Sequence, residues 1–415
     1  MEISVAIDKR EQTVEIPDER LIALLTPNEV SHPFSGEEAV CQALRNPIGT
    51  APLDQLVQPG ERIVIVTSDV TRPLPSKQVL SPILQILQER GCDKTDITIV
   101  FALGSHRPHR EAEMRYLVGD EIFERYTCVD SDLTDVVHLG TTSGGTPIDV
   151  TRIVAEADRR ICLGNIEYHY FAGYSGGAKA IMPGVSTRAA IQANHSRMVE
   201  AGAVAGELSN NPVRRDLEEA IDYCPIDFIV NVVLDEHKDI IHAVAGHFIE
   251  AHRAGCDYLD RLYLKNIPRR ADIVIVSQGG YPKDLNLYQT QKALDNAKHA
   301  VADGGIIILV GSCKEGLGEA VFEQWLTEAS HPSDLVARIR SDFKLGGHKA
   351  AAIALVLEKA DIFLVSDLEP DFVRTLFMEP FDTVQSALDQ ALAQKGSDAG
   401  IIVMPYGGST LPRPV

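Results

Sequence analysis

The chain has 415 residues, 45% hydrophobic and 24% charged, with a formal net charge of -20 from 39 Lys+Arg and 59 Asp+Glu. That length exceeds one ordinary core and calls for two domains, or three. The acidic balance argues against nucleic acid as a partner, since that binding needs basic surface. No apolar run approaches the roughly 18 residues of a membrane span.

The first residues, Met1–Glu19, alternate apolar and charged side chains like a strand. They lack the basic start and apolar stretch of a secretion signal, so the expected location is cytoplasmic. The seven cysteines (Cys41, Cys92, Cys128, Cys162, Cys224, Cys256, Cys313) are scattered and form no CxxC. Free thiols are expected rather than a disulfide framework or a cysteine metal site.

Short apolar runs recur at Arg62–Thr67, Asp96–Ala102, Arg160–Gly164, Asp272–Val276, Gly305–Val310, Asp361–Val365 and Gly400–Met404. Each is followed by a polar or glycine-rich loop and then a helical pattern. Nearly all-apolar strands of this kind belong to parallel sheets covered on both faces, so the class is α/β. The segment KNIPRRA follows a predicted helix over Ile249–Leu262 and precedes a new strand. The expected division is therefore an N-terminal α/β domain over residues 1–265 and a C-terminal α/β domain over 271–404. The Gly- and Pro-rich tail, 405–415, is expected to run back across the first domain.

Open α/β sheets bind ligands beyond the carboxyl ends of their strands, and here those loops carry the chemistry. The first holds Asp69 and Arg72 in SDVTRP, where a carboxylate can orient a histidine and a guanidinium can grip a carboxylate. A local helix cap or salt bridge is the plainer reading. The second holds His106, with Arg107 and His109, in LGSHRPHR. The third, Phe171–Ala180 (FAGYSGGAKA), offers Gly173, Ser175, Gly176 and Gly177 as a cradle whose N–H groups, near a helix start, would hold a phosphate. It is not a triphosphate-binding loop, because Ala180 stands where that motif needs a hydroxyl. A tight turn with a solvated lysine is the alternative. Lys179, set against an apolar run, is a candidate for a desolvated, nucleophilic amine. His169 and His195 flank it, and neutral imidazole serves as metal ligand or acid–base. Their spacing is no local metal motif, and taken alone His195 reads as packing. Tyr288, Gln289 and Lys292 lie on a predicted helix, with Gln289 and Lys292 on one face, a pattern that also fits a solvated surface. His237, His242, His247 and His252 show no ligand geometry and read as structural, as does the single tryptophan, Trp325.

In combination, SDVTRP, GSHRP, HYFAGYSGGAKAIMPG (His169–Gly184), NHSRM (Asn194–Met198) and YQTQK, in this order along most of the chain, resemble the lactate racemase family. The resemblance implies two α/β domains with mostly parallel sheets and an interdomain active-site cleft. It implies a nickel pincer nucleotide, a pyridinium-3,5-bisthiocarboxylate mononucleotide nickel complex, covalently attached to Lys179. By motif position His195 would ligate nickel and His106 and His169 would be the catalytic acid–base pair. Asp69, Arg72, Gly173, Ser175, Gly176, Gly177 and Tyr288 would contact cofactor, and Arg72, Gln289 and Lys292 the substrate. The implied reaction inverts C2 of a small 2-hydroxy acid by reversible hydride transfer. The implied partners are that acid, the enzymes that make the cofactor and further copies of the chain in a homo-oligomer; nucleic acid and membrane are not among them. One departure concerns the substrate. The family's lactate pattern includes a tryptophan near the substrate pocket, and the stretch KLGGHKA (Lys344–Ala350) has none, which opens the choice to a related acid such as malate.

Two other readings stay open from the residues. One is an NAD(P)-dependent 2-hydroxyacid oxidoreductase, although no GxGxxG opens a helix after the first strand. The other is a non-catalytic hydroxy-acid binding protein.

Overall fold

The computed structural model describes residues 1–235 and 237–415 and divides the chain into two compact units, Val30–Arg261 and Met1–Glu29 with Leu262–Val415. The α/β class of the sequence reading holds in both.

The unit over Val30–Arg261 is built on six strands: β1 (Ile63–Ser68), β2 (Ile97–Ala102), β3 (Thr127–Asp130), β4 (Arg159–Asn165), β5 (Phe228–Leu234) and β6 (Ile240–Gly246), in the spatial order β6-β5-β4-β1-β2-β3. Five run parallel and β6 closes one edge antiparallel to β5. Ile63, Ile65, Ile97, Ile99, Phe101, Ile161, Phe228 and Val230 form one buried cluster with the helix residues Val79, Leu80, Ile83 and Leu87. Branched and aromatic side chains on both faces explain why these runs show no polar alternation.

The second unit holds six parallel strands in the spatial order Glu379–Phe381, Ala360–Val365, Val301–Val310, Ala271–Ser277, Ile401–Met404 and Leu21–Leu24. This corrects the expected division in two places. The N-terminal residues belong with the C-terminal half, because Leu21–Leu24 pairs with Ile401–Met404 and the hairpin Glu2–Ile7/Arg10–Glu15 buries Ile3, Val5, Ile7 and Val14 in that unit's core. The tail, expected to lie on the first domain, belongs to the second unit. Leu411–Pro414 pairs in parallel with Leu264–Ile267, so part of the supposed linker is a strand of the second unit. Trp325 is fully buried, as a packing residue should be. No helix among the described residues is long and apolar enough to cross a membrane. All seven cysteines are free.

Candidate active site

The candidate residues of the first unit emerge beyond the carboxyl ends of β1, β2 and β4. Asp69 follows β1 directly and is buried. His106 follows β2, and its Nδ1 lies 2.7 Å from Asp69 Oδ2. Thr71 completes the corner, its hydroxyl donating to Asp69 at 2.9 Å. Burial opposes ionisation of Asp69, yet the hydrogen bond and charge of His106, then the charge of Arg72, hold its carboxyl below the usual range. A carboxylate facing Nδ1 places that ring's proton on Nδ1 and leaves the lone pair on Nε2.

His109, three residues on, shows what a structural histidine looks like. Its Nδ1 pairs with Asp130 at 2.6 Å, and its Nε2 accepts the Val70 N–H at 2.9 Å. Both nitrogens are spent. His106 has no such partner on Nε2 among the described residues.

The segment after β4 forms a small hairpin in which Tyr168–His169 pairs with Gly173–Tyr174. His169 is half-buried, and its Nδ1 accepts the Ala172 N–H at 3.3 Å. Here the lone pair is on Nδ1, so the neutral ring carries its proton on Nε2, opposite to His106. Burial, then the charges of Lys179, His195, Arg72 and Arg214, hold His169 well below the ordinary histidine range.

Phe171 is the hub. His169 meets its edge at 4.5 Å between ring centroids, His195 at 4.9 Å, and the Lys179 ammonium lies 5.9 Å from its centroid. Burial, then the charges of Arg214 and Arg72, push Lys179 well below the ordinary lysine range. No carboxylate lies within ion-pair reach of Lys179 among the described residues. Arg72 is exposed and pairs with no protein carboxylate among them, a cation left for an anionic ligand. Its charge contributes to the field at Asp69, His169 and Lys179 alike.

The glycine cradle differs from expectation. Residues Gly177–Ala180 form a single 3-10 turn rather than a helix start. The Gly177 N–H is taken by Asn231 Oδ1 at 2.8 Å and the Ser175 N–H by the Glu167 carbonyl. The Ser175 hydroxyl bridges the Asn165 carbonyl (2.7 Å) and the Glu167 N–H (2.8 Å). These groups are turned to the protein, so they are not a ready phosphate nest. The glycines answer to packing: at Gly176, φ is +75° and a Cβ would lie 2.7 Å from Asn231 Oδ1, and at Gly177, φ is +60° and a Cβ would touch the His252 ring at 3.0 Å. Lys179, by contrast, is not the solvated lysine of a plain turn.

Beneath this loop lies a residue the sequence reading passed over. Arg214, on the helix Pro212–Glu219, is fully buried and donates to the carbonyls of Ala172, Tyr174 and Gly176. Glu218 stands 3.8 Å from its guanidinium and is itself held by both terminal nitrogens of Arg253 at 2.8 Å. His252, read as structural, is so: it donates from Nε2 to the Ser175 carbonyl at 2.8 Å. In sequence, RRDLEE looks like a solvated face, and only the apolar neighbours Val213 and Leu217 hint that one side turns inward.

Tyr288, Gln289 and Lys292 occupy the helix Leu287–Ala297 of the second unit, capped by Asn286, with Tyr288 and Gln289 half-buried and Lys292 exposed. Lys349, in the KLGGHKA stretch, stacks on the Tyr288 ring at 3.9 Å. Among the described residues no cluster of three His, Cys, Asp or Glu side chains could hold a metal alone.

Comparison with known proteins places the chain among relatives. The lactate racemase N-terminal domain family matches residues 7–206 and the lactate racemase C-terminal domain family residues 267–411. A lactate racemase of Thermoanaerobacterium thermosaccharolyticum is 34% identical over 423 residues, spanning 99% of both chains. One of Lactiplantibacillus plantarum is 34% identical over 418 residues, spanning 98% of both. The solved apoprotein of the former superposes with a TM-score of 0.91 over 100% of both chains. A Thermotoga maritima protein, 18% identical and with a TM-score of 0.64 over 94% of this chain and 100% of its own, shares the fold. The chain belongs to the lactate racemase family, a family of isomerases.

Proposed function

We propose that this chain is a 2-hydroxyacid racemase or epimerase that inverts C2 of lactate or a related acid such as malate. The observation that carries the proposal is a pair of imidazoles with opposite proton placement, His106 with its lone pair on Nε2 and His169 with its proton there, the latter grouped with Lys179 and His195 around Phe171.

The substrate chemistry calls for such a pair. A C–H beside a carboxylate is a very poor acid, because its carbanion would adjoin an existing negative charge. Loss of hydride from C2 instead leaves a neutral ketone and releases a hydroxyl proton that a base must take. His106 Nε2, backed by Asp69, is built for that proton. His169 serves the opposite face. Burial, and then the cations around His169, disfavour its charged form, so a bound anion would favour its protonation. Arg72 binds the carboxylate, with Gln289 and Lys292 as further substrate contacts.

The residues fit a nickel pincer nucleotide. Lys179 has the amine of depressed basicity that a covalent tether needs, and His195 would be the nickel ligand, its Nδ1 hydrogen-bonded to Asn194 Oδ1 at 2.9 Å. When bound, the group supplies the hydride acceptor. Tyr288 and Arg72 would contact it; the spent groups of Ser175 and Gly177 favour a shaping role for that loop. The enzymes that make the cofactor are proposed partners, and assembly into a homo-oligomer and a cytoplasmic location complete the proposal.

The test is to co-express the chain with cofactor-making enzymes, measure intact mass and nickel, and follow single enantiomers of several 2-hydroxy acids for inversion. Adduct on Lys179, bound nickel and inversion of one acid are expected. Cofactor-loaded protein that inverts none of them would defeat the proposal.

A further inference from the structure

Behind His195 runs a chain of hydrogen bonds whose directions can be worked out from its far end. Asn194 is fully buried at the end of the helix Arg188–His195. Its Nδ2 donates to the Val213 carbonyl at 3.1 Å and to Asp216 Oδ2 at 2.8 Å. Asp216, also buried, accepts from the hydroxyls of Thr142 and Thr146 at 2.6 Å each. Thr142 is itself fixed as a donor there, because its oxygen receives the Thr146 N–H at 3.0 Å.

Turning the Asn194 amide over would set its oxygen against a carbonyl and a carboxylate, two acceptor–acceptor contacts in a buried place. The amide therefore has one orientation, with Oδ1 toward His195 Nδ1 at 2.9 Å. A carbonyl oxygen only accepts, so Nδ1 must carry the hydrogen. The neutral ring then has its lone pair on Nε2.

We infer that the Asn194–Asp216 pair is a positioning device that fixes His195 as the Nδ1–H tautomer, so that Nε2 is the nitrogen presented to a metal. The inference rests on the proposed role of His195 as ligand. Neither Asn194 nor Asp216 needs to touch the metal or substrate; both act through the ring.

The experiment is nitrogen NMR of the unloaded full chain with isotope-labelled histidine, the His195 signals assigned by their absence in His195→Ala. Wild type is expected to show the Nδ1–H tautomer. Asp216→Asn can donate toward Asn194, frees its amide to turn and should add an Nε2–H population. Asn194→Leu, which leaves Asp216 with its two threonines and with Arg197 at 3.6 Å, should shift most of the population to Nε2–H. In cofactor-loaded protein the same variant should retain nickel about 10-fold less tightly. An Nε2–H tautomer in wild type, or an unchanged tautomer in Asn194→Leu, overturns the inference, and the latter variant decides if Asp216→Asn does not fold. If the tautomers behave as stated while His195→Ala keeps its nickel, the positioning device stands and the ligand reading of His195 falls.

Discussion

The loop after β2 and the hairpin after β4 each present a histidine, and they differ in the sign of what surrounds it. His106 faces a buried carboxylate. His169 is held by burial, and then by the positive charges of Lys179, His195, Arg72 and Arg214, away from its charged form. The first environment keeps a base aimed; the second, through burial and then neighbouring cations, disfavours a positive ring until negative charge arrives. Chemically identical side chains are thereby given different resting states by their neighbours alone.

Removing either ring should produce the largest effect. His106→Ala and His169→Ala are each expected to lose on the order of 10²–10⁴ in racemisation kcat, measured from either enantiomer. Loss in only one variant would break the pairing. Next comes the scaffold on the cationic side. Arg214→Met leaves three carbonyls without their donor and should cost about 2–4 kcal/mol of unfolding free energy in denaturant titration. Arg214→Lys should recover part of it.

On the acidic side, Asp69→Asn keeps the shape but loses the charge that fixes the His106 proton. A fall of about 10–100-fold in kcat with little change in KM is expected, and the pH–rate profile should move, which a merely structural role would not cause. The smallest effect sharpens the comparison through stability. Lys179 in the fold titrates well below its ordinary 10.5, so between the two values the unfolded chain binds a proton that the folded chain does not. Its burial therefore costs stability at neutral pH, and that cost fades as pH rises toward 10.5. Lys179→Met in the unloaded protein should raise Tm by a few degrees near pH 7, roughly 1 kcal/mol, and by less near pH 10. An equal gain at both pH values would show that the charge is not responsible.

The strands were legible because their apolar runs are local. All seven sequence runs lie on strands of the two sheets, within a residue or so at most ends and four at the start of Val301–Val310. The placement of Met1–Glu29 was not legible, since it depends on pairing Leu21–Leu24 with residues nearly 380 positions away. Candidate histidines could be read from strand-end position, yet His106 and His109 look alike in sequence and are told apart only by what meets Nε2. The glycines suggest a phosphate cradle in sequence, which cannot show that Asn231 and His252 occupy the space their side chains would need. Arg214 and Asp216 were hidden inside RRDLEE, a stretch whose composition signals solvent while its helix turns two charges inward.

The central claim is that C2 gives up hydride while a histidine takes the hydroxyl proton. It is tested most directly with a single-enantiomer 2-hydroxy acid deuterated at C2, incubated with cofactor-loaded enzyme in ordinary water. Hydride transfer predicts inverted product that retains its deuterium. Inverted product in which solvent hydrogen has replaced the label would mean a proton was removed from carbon, and would contradict it.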